Sequence, residues 1–169
     1  MANLTTKRLA RAGIIASLYI LLSLVTFGFS SGAIQLRLSE GLTLLPLLFV
    51  EAIPALFVGC LLSNLIMGCA LIDVFVGSTI TLVAGFLTYV VGKTLPKASV
   101  KLVVGGLFPV LLNALLLPLV WKYCYGLEYL YVIQFCILLA SQSLSVYALG
   151  VPIHLSVTKL KNKGVKFLE

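Results

Sequence analysis

The sequence predicts an all-α membrane protein: a single domain, residues 1–169, of six transmembrane helices with both termini cytoplasmic. Three observations predict it. Apolar residues make up 61% of the chain and charged residues 10%, whereas soluble domains carry about 25% charged and about 45–50% apolar residues. Too few polar side chains remain to cover a water-facing surface, which excludes a soluble enzyme. Apolar runs recur at the length of about 20 residues needed to cross a hydrocarbon core of roughly 30 Å. The third observation is the placement of the basic residues.

The first run is Ala10–Phe29, preceded by Lys7, Arg8 and Arg11. It has full span length and no A-x-A site follows it, so it reads as a helix rather than a cleaved signal. Region 42–72 has two readings: one span, Leu42–Ile66, or two shorter helices broken at Glu51 and Pro54. Val74–Gly92, Leu102–Trp121 and Tyr129–Ser156 follow, the last long enough to tilt. Lys and Arg in short loops concentrate on the cytoplasmic side. With six spans, ten of the twelve basic residues fall inside, and only Arg37 and Lys122 fall outside. With five spans the split becomes four inside and eight outside. Charge therefore selects six. The net charge of +7 is then orientation signal and contact with anionic headgroups rather than a nucleic-acid surface.

This division makes the second helix, Ser39–Val50, about 18 Å long, too short to span unaided. Such an element must be sheltered by protein or line a cavity, with Glu51 and Pro54 forming the turn after it. Ser39 is a plausible N-cap for it, with Glu40 favoured in the first turn by the helix dipole.

Loops are short and no repeat or linker appears. Cys60 and Cys136 read as small apolar packing residues, while Cys69 and Cys124 share the outer end, where a disulfide is an open alternative. No cysteine has metal-ligand spacing. Small residues recur every four positions at Ala55/Gly59/Ser63 and Gly77/Thr81/Gly85, a pattern that allows close helix packing. Ala12 and Ala16, with Gly13 and Ser17, form a small patch near the cytoplasmic end of the first helix. Packing within the bundle and docking of a partner helix are equal readings of it.

Little supports catalysis. In GFLTYVVGKT, the Gly-Lys-Thr at 92–94 lacks the P-loop glycine, because position 87 is Leu, and no strand precedes it. His154, the single histidine, has no acid partner at its depth and reads as interfacial packing or a cap. No G-x-S-x-G accompanies the serines, and no cofactor is called for. What remains is a set of polar groups gathered by topology at the outer end. Gln35, Arg37 and Glu40 enter the second helix, Asn64 closes the third, and Asp73 and Ser78 begin the fourth. Trp121 ends the fifth, with Tyr123 and Tyr125 beyond it, and Gln134 begins the sixth. Asn113 and Gln142 lie deeper. Ionisable groups at membrane depth are costly and usually mark a site, so the cluster reads as a binding pocket, although each member alone can be a cap or a headgroup contact. Two carboxylates, several amides and aromatics suit a flat, hydrogen-bond-rich ligand. A purine-like ring offers a donor edge to a carboxylate and a face to Trp or Tyr, and the surplus acid suits an ammonium.

Three blocks at these positions carry a family likeness: RLSEGLTLLP (37–46), AIPALFVGCLLSN (52–64) and DVFVGSTITLVAG (73–85). In order and spacing the chain resembles the QueT family, substrate-binding S components of energy-coupling factor (ECF) transporters. The resemblance implies an ECF S-component-like bundle that binds a scarce nutrient at its outer face, with loop 30–38 as a gate. It implies partners: a transmembrane coupling protein, against which Ala12 and Ala16 would dock the first helix, and two cytoplasmic ATPase subunits. It also implies toppling in the membrane to release the ligand inward. The implied substrate is a queuosine precursor, a 7-deazaguanine such as preQ1 or queuine, and no metal. Rival readings are an S component for another vitamin such as thiamin, and a small membrane enzyme or scaffold protein.

Overall fold

In a computed structural model of the chain, describing residues 2–27, 36–126, 131–165 and 167, every regular element among the described residues is helical. Helix α1, Ala2–Thr26, leads to a 3-10 helix over Leu38–Leu47; α2 (Ala52–Ile66), α3 (Leu71–Thr94) and α4 (Ala98–Tyr125) follow. The last rod is compound: α5 (Tyr131–Ser143), a π-helical segment over Leu144–Gly150, and α6 (Val151–Asn162) run on from one another. Among the described residues, four stretches are long and apolar enough to cross a membrane: Thr5–Thr26, Leu71–Thr94, Ala98–Cys124 and Tyr131–Asn162. Helix α2 is apolar but only 15 residues long, and the 3-10 helix has 10.

The short second element is the hub. Residues 39–46 are all buried, and the 3-10 helix touches α1, α2, α3, α4, α6 and the π segment. The expected shelter is therefore present. The expected α-helix over Ser39–Val50 is not: the element is a 3-10 helix, and it ends at Leu47. Pro46 lies inside it and removes a backbone donor. The Thr43 hydroxyl donates to the Glu40 carbonyl at 2.6 Å, competing for an acceptor an α-turn would use. A rise near 2.0 Å per residue gives ten residues a reach of about 20 Å, against about 15 Å as an α-helix. Nor is Ser39 an N-cap. The cap position is Arg37, which makes no side-chain cap bond, and the Ser39 hydroxyl instead accepts from Ser23 at 2.8 Å.

Two glycines seat this hub against the compound rod. A Cβ on Gly41 would lie 2.9 Å from Leu149 Cβ, and one on Gly150 would lie 2.8 Å from the Gly41 carbonyl oxygen. The 3-10 helix and the π segment thus cross backbone against backbone, and the two irregular elements shelter each other inside protein, where irregular backbone at membrane depth is tolerated.

Among the described residues, apolar packing falls into three clusters. Tyr19, Leu45, Leu56 and Cys60 join α1, the 3-10 helix and α2. Ile80, Ala114, Leu117 and Leu138 join α3, α4 and α5. Leu44, Val110 and Val146 tie the hub to α4 and the π segment. The small-residue faces serve this packing: Ala55, Gly59, Ser63, Gly77, Thr81 and Gly85 are all buried. Thr88 adds a polar tie from α3, donating to the Gly105 carbonyl of α4 at 2.9 Å.

At the opposite end of α1 from Thr26, Arg11 pairs with Glu51 at 2.7 Å, and both side chains are at least nine-tenths buried. Phe49 lies under the guanidinium at 4.7 Å. The sequence reading placed Arg11 among simple basic anchors and Glu51 in a turn; the fold makes them one buried pair fastening α1 to the turn before α2. The four cysteines are free, so Cys69 and Cys124 form no disulfide.

Candidate functional site

At the end of the bundle away from the Arg11–Glu51 pair, a cavity of about 70 Å³ is lined by Arg37, Asn64, Cys69, Asp73, Gly77, Leu117 and Trp121. Its wall comes from five places in the chain. Arg37 precedes the 3-10 helix, Asn64 closes α2, and Cys69 lies in the short turn to α3. Asp73 and Gly77 sit on the first turns of α3, and Leu117 and Trp121 on the last turns of α4. The turn brings Asn64 and Asp73 together: the Cys69 N–H donates to the Asn64 carbonyl at 3.0 Å, and Gly68 adopts a left-handed φ of 71°. Gly77 faces the amide: a Cβ there would stand in ordinary contact, 3.5 Å from Asn64 Nδ2.

Two oxygens on lining residues are buried and without a hydrogen-bond partner: Asn64 Oδ1 and Asp73 Oδ1. Asn64 Nδ2 is turned to Cys60 Sγ at 3.5 Å. Trp121 is partly buried and packs with Ile80, Ala114 and Leu138, which holds the indole against the α3–α4–α5 core. The cavity thus combines a cation, two unsatisfied acceptors and a flat aromatic wall. Buried polar groups normally find partners, so the pair of free acceptors is what distinguishes this wall from ordinary core.

Glu40 stands behind the cavity rather than on its surface. It is 2% exposed, and Oε1 accepts from the Tyr19 hydroxyl at 2.9 Å while Oε2 has no partner. No ion pair joins it to Arg37 among the described residues; the contact between the two is backbone, Glu40 N–H to the Arg37 carbonyl at 3.1 Å. The i,i+3 ion pair that the sequence allowed is therefore not formed. Arg37 lines the cavity and Glu40 is held by α1.

The remaining candidates scatter. Ser78 is buried, and its hydroxyl donates within α3 to the Val74 carbonyl at 2.6 Å. Asn113 and Gln134 are buried but do not line this cavity; Gln134 Oε1 and Gln142 Oε1 have no partner. Gln35 and most of segment 30–38 lie outside the described residues. Ala12 and Ala16 are partly buried against the α1–α2 core, where a Cβ on Gly59 would stand 3.2 Å from the Ala16 carbonyl. On α1 the neighbours Gly13 and Ser17 are exposed.

Tyr19 was not foreseen. Its signal is the spacing Arg11, Ile15, Tyr19, Ser23, Thr26, which is the buried stripe of α1 and places one large polar-tipped side chain at its middle. Cys69 and Leu117 were also missed as wall residues, because nothing in their residue types distinguishes them from packing.

Among the described residues no three His, Cys, Asp or Glu side chains are grouped to hold a metal ion. A family model described as QueT transporter matches residues 9–159, most of the chain. No curated protein and no solved structure matches.

Proposed function

The chain belongs to the QueT transporter family, and from that premise we propose that it is the substrate-binding S component of an ECF transporter, taking up a 7-deazaguanine queuosine precursor. The observation that carries the reading is the cavity at the Arg37 end, with Asn64 Oδ1 and Asp73 Oδ1 buried and unpaired on two of its lining residues. A deazaguanine edge presents N–H donors to these acceptors, its ring stacks on Trp121, and an aminomethyl ammonium pairs with Asp73. Arg37 answers the ring carbonyl. Glu40 acts from behind, through Tyr19 and its proximity to Arg37. Gln35 belongs to the gate, and Ser78, Asn113 and Gln134 act from deeper positions.

In this reading the six rods all lie in the membrane, both termini are cytoplasmic and the cavity faces outward, in accord with the positive-inside distribution. The 3-10 helix and α2 are carried by their neighbours. The chain itself performs no chemistry. Ala12 and Ala16, with exposed Gly13 and Ser17, form the docking face for the transmembrane coupling protein, which links the chain to two ATPase subunits; toppling then releases the ligand inward.

Thermal unfolding of the purified protein tests the substrate. A 7-deazaguanine well above its dissociation constant raises the midpoint by mass action, and guanine and thiamin serve as competitors. Stabilisation by thiamin, with none by a deazaguanine, gives the site to another vitamin; stabilisation by neither removes the reading.

A further inference from the structure

The end of the bundle opposite the candidate site carries two cavities that share the side chains of Arg11 and Phe49. The first, about 220 Å³, is lined by Arg8, Arg11, Lys93 and Lys161 on the cationic side, with Glu51 as its single carboxylate and Tyr89 beside them. The second, about 150 Å³, is an apolar groove between α1 and α6, walled by Ile14, Leu18, Leu42, Ile153 and Val157 among others.

Arg11 is 5% exposed, yet one guanidinium nitrogen alone, Nη2, is paired, with Glu51. Nε and Nη1 are buried without a hydrogen-bond partner. Guanidinium N–H groups donate strongly to phosphate oxygens, and Nε and Nη1 flank the Glu51-paired Nη2 on its two sides, so two donors remain to be met. Lys161 lies over Phe49 at 5.4 Å and Lys93 over Tyr89 at 5.5 Å, so both ammonium groups are placed by aromatic faces at the same mouth. Four cations against one carboxylate leave the polar cavity three charges in excess. Phe49 then forms the floor common to the charged cavity and the apolar one. A site positive at one end and apolar along the next fits an amphiphile better than a soluble anion or a neutral hydrophobe.

We propose that these joined cavities form a binding site for one anionic phospholipid, with its phosphate on Arg8, Arg11 and Lys161 and an acyl chain in the α1–α6 groove. The site does not depend on the substrate reading. A lipid there bridges α1 and α6 and gives the unpaired guanidinium N–H groups an acceptor, so its occupancy stiffens this end of the bundle.

The experiment uses the full chain purified in a neutral detergent, with phosphatidylglycerol or phosphatidylcholine of identical acyl chains added back. Native mass spectrometry counts retained lipids, and thermal unfolding reads stabilisation. Phosphatidylglycerol is expected to be retained singly and to raise the unfolding midpoint, with phosphatidylcholine and inorganic phosphate weaker by about tenfold or more. The double substitution Arg8→Gln/Lys161→Gln is expected to abolish the preference, and Lys122→Gln, at the other end, to leave it intact. Ile14→Trp, which fills the groove from an exposed position, is expected to lower retention while sparing the charges; it decides the matter should the double variant fold poorly. Equal effects of the two lipids, equal effect of inorganic phosphate, or an unchanged preference in both the double variant and Ile14→Trp overturns the proposal.

Discussion

Asp73 brings a carboxylate to the cavity wall from the first turn of α3, with Oδ1 unpaired. A hydrogen bond to a charged group contributes about 1.5–3 kcal/mol, so Asp73→Asn should weaken ligand binding by about 10- to 150-fold. The same change should leave unfolding without ligand nearly unmoved, since no partner is lost. Titration calorimetry set beside thermal unfolding checks both halves, and a large loss of stability would assign Asp73 to the fold instead. Tyr19 and Glu40 should behave in the opposite way. Tyr19→Phe removes the 2.9 Å hydrogen bond to the Glu40 carboxylate and should cost about 1.5–3 kcal/mol of stability. Glu40→Gln should weaken binding less than Asp73→Asn does, because Glu40 lies behind the wall; a double-mutant cycle across Tyr19 and Glu40 should show coupling. Part of the candidate cavity's wall was legible residue by residue. Arg37, Asn64, Asp73 and Trp121 stand out as polar or aromatic groups near span ends, and depth in the membrane gathers them at one end. Which of them share a wall was not legible, because that depends on the turn between α2 and α3 and on how α4 lies over α3. Ser78 shows the limit: in sequence it looks as available as Asp73, but its hydroxyl is engaged by its own helix.

At the scale of elements, the crossing of the 3-10 helix over the π segment rests on two missing side chains. Gly150→Ala would place a Cβ 2.8 Å from the Gly41 carbonyl oxygen, and a backbone atom inside a packed crossing cannot swing aside as a side-chain tip does. Overpacking of this kind costs about 1–3 kcal/mol. Gly13→Ala, by contrast, meets nothing within 4 Å and should be neutral or stabilising by about 0.5–1 kcal/mol, as expected for Gly to Ala within a helix. Comparing the two unfolding midpoints in one detergent checks the pair, and equal behaviour would show that the crossing is looser than described. The apolar runs made the long helices legible, and the short second element followed from Glu51 and Pro54 interrupting region 42–72. Its helical type did not follow. Periodicity reports which face is buried, and an element buried on every side, as residues 39–46 are, has no exposed face to reveal its pitch. The π segment was hidden for a related reason: Leu144–Gly150 continues an apolar run, and one extra residue in a turn leaves no mark in composition.

For the whole molecule the open quantity is the number of crossings, and two native cysteines are placed to measure it. The basic residues favour six spans by ten to two, yet among the described residues only four stretches meet the length of a free-standing span. The two statements agree if the 3-10 helix and α2 cross together as neighbours, since each is short and the hub is enclosed by protein. Six crossings with a cytoplasmic N-terminus place the α2–α3 turn and the end of α4 outside; five crossings place both inside. Cys69 lies in the first of these and Cys124, which is exposed, in the second. In intact cells a membrane-impermeant maleimide should therefore label Cys124 and, more slowly, Cys69, whereas Lys97→Cys, between α3 and α4, should label only after permeabilisation. The reverse pattern would invert the charge argument and place the candidate site in the cytoplasm. The same reagent also reads the cavity. Cys69 lines it and Cys124 does not, so a bound ligand should slow labelling of Cys69 and leave Cys124 unchanged. Protection of Cys69 from the outside joins topology and site in one measurement: it requires that the turn carrying Asn64 and Cys69 face outward and that the ligand sit against that turn.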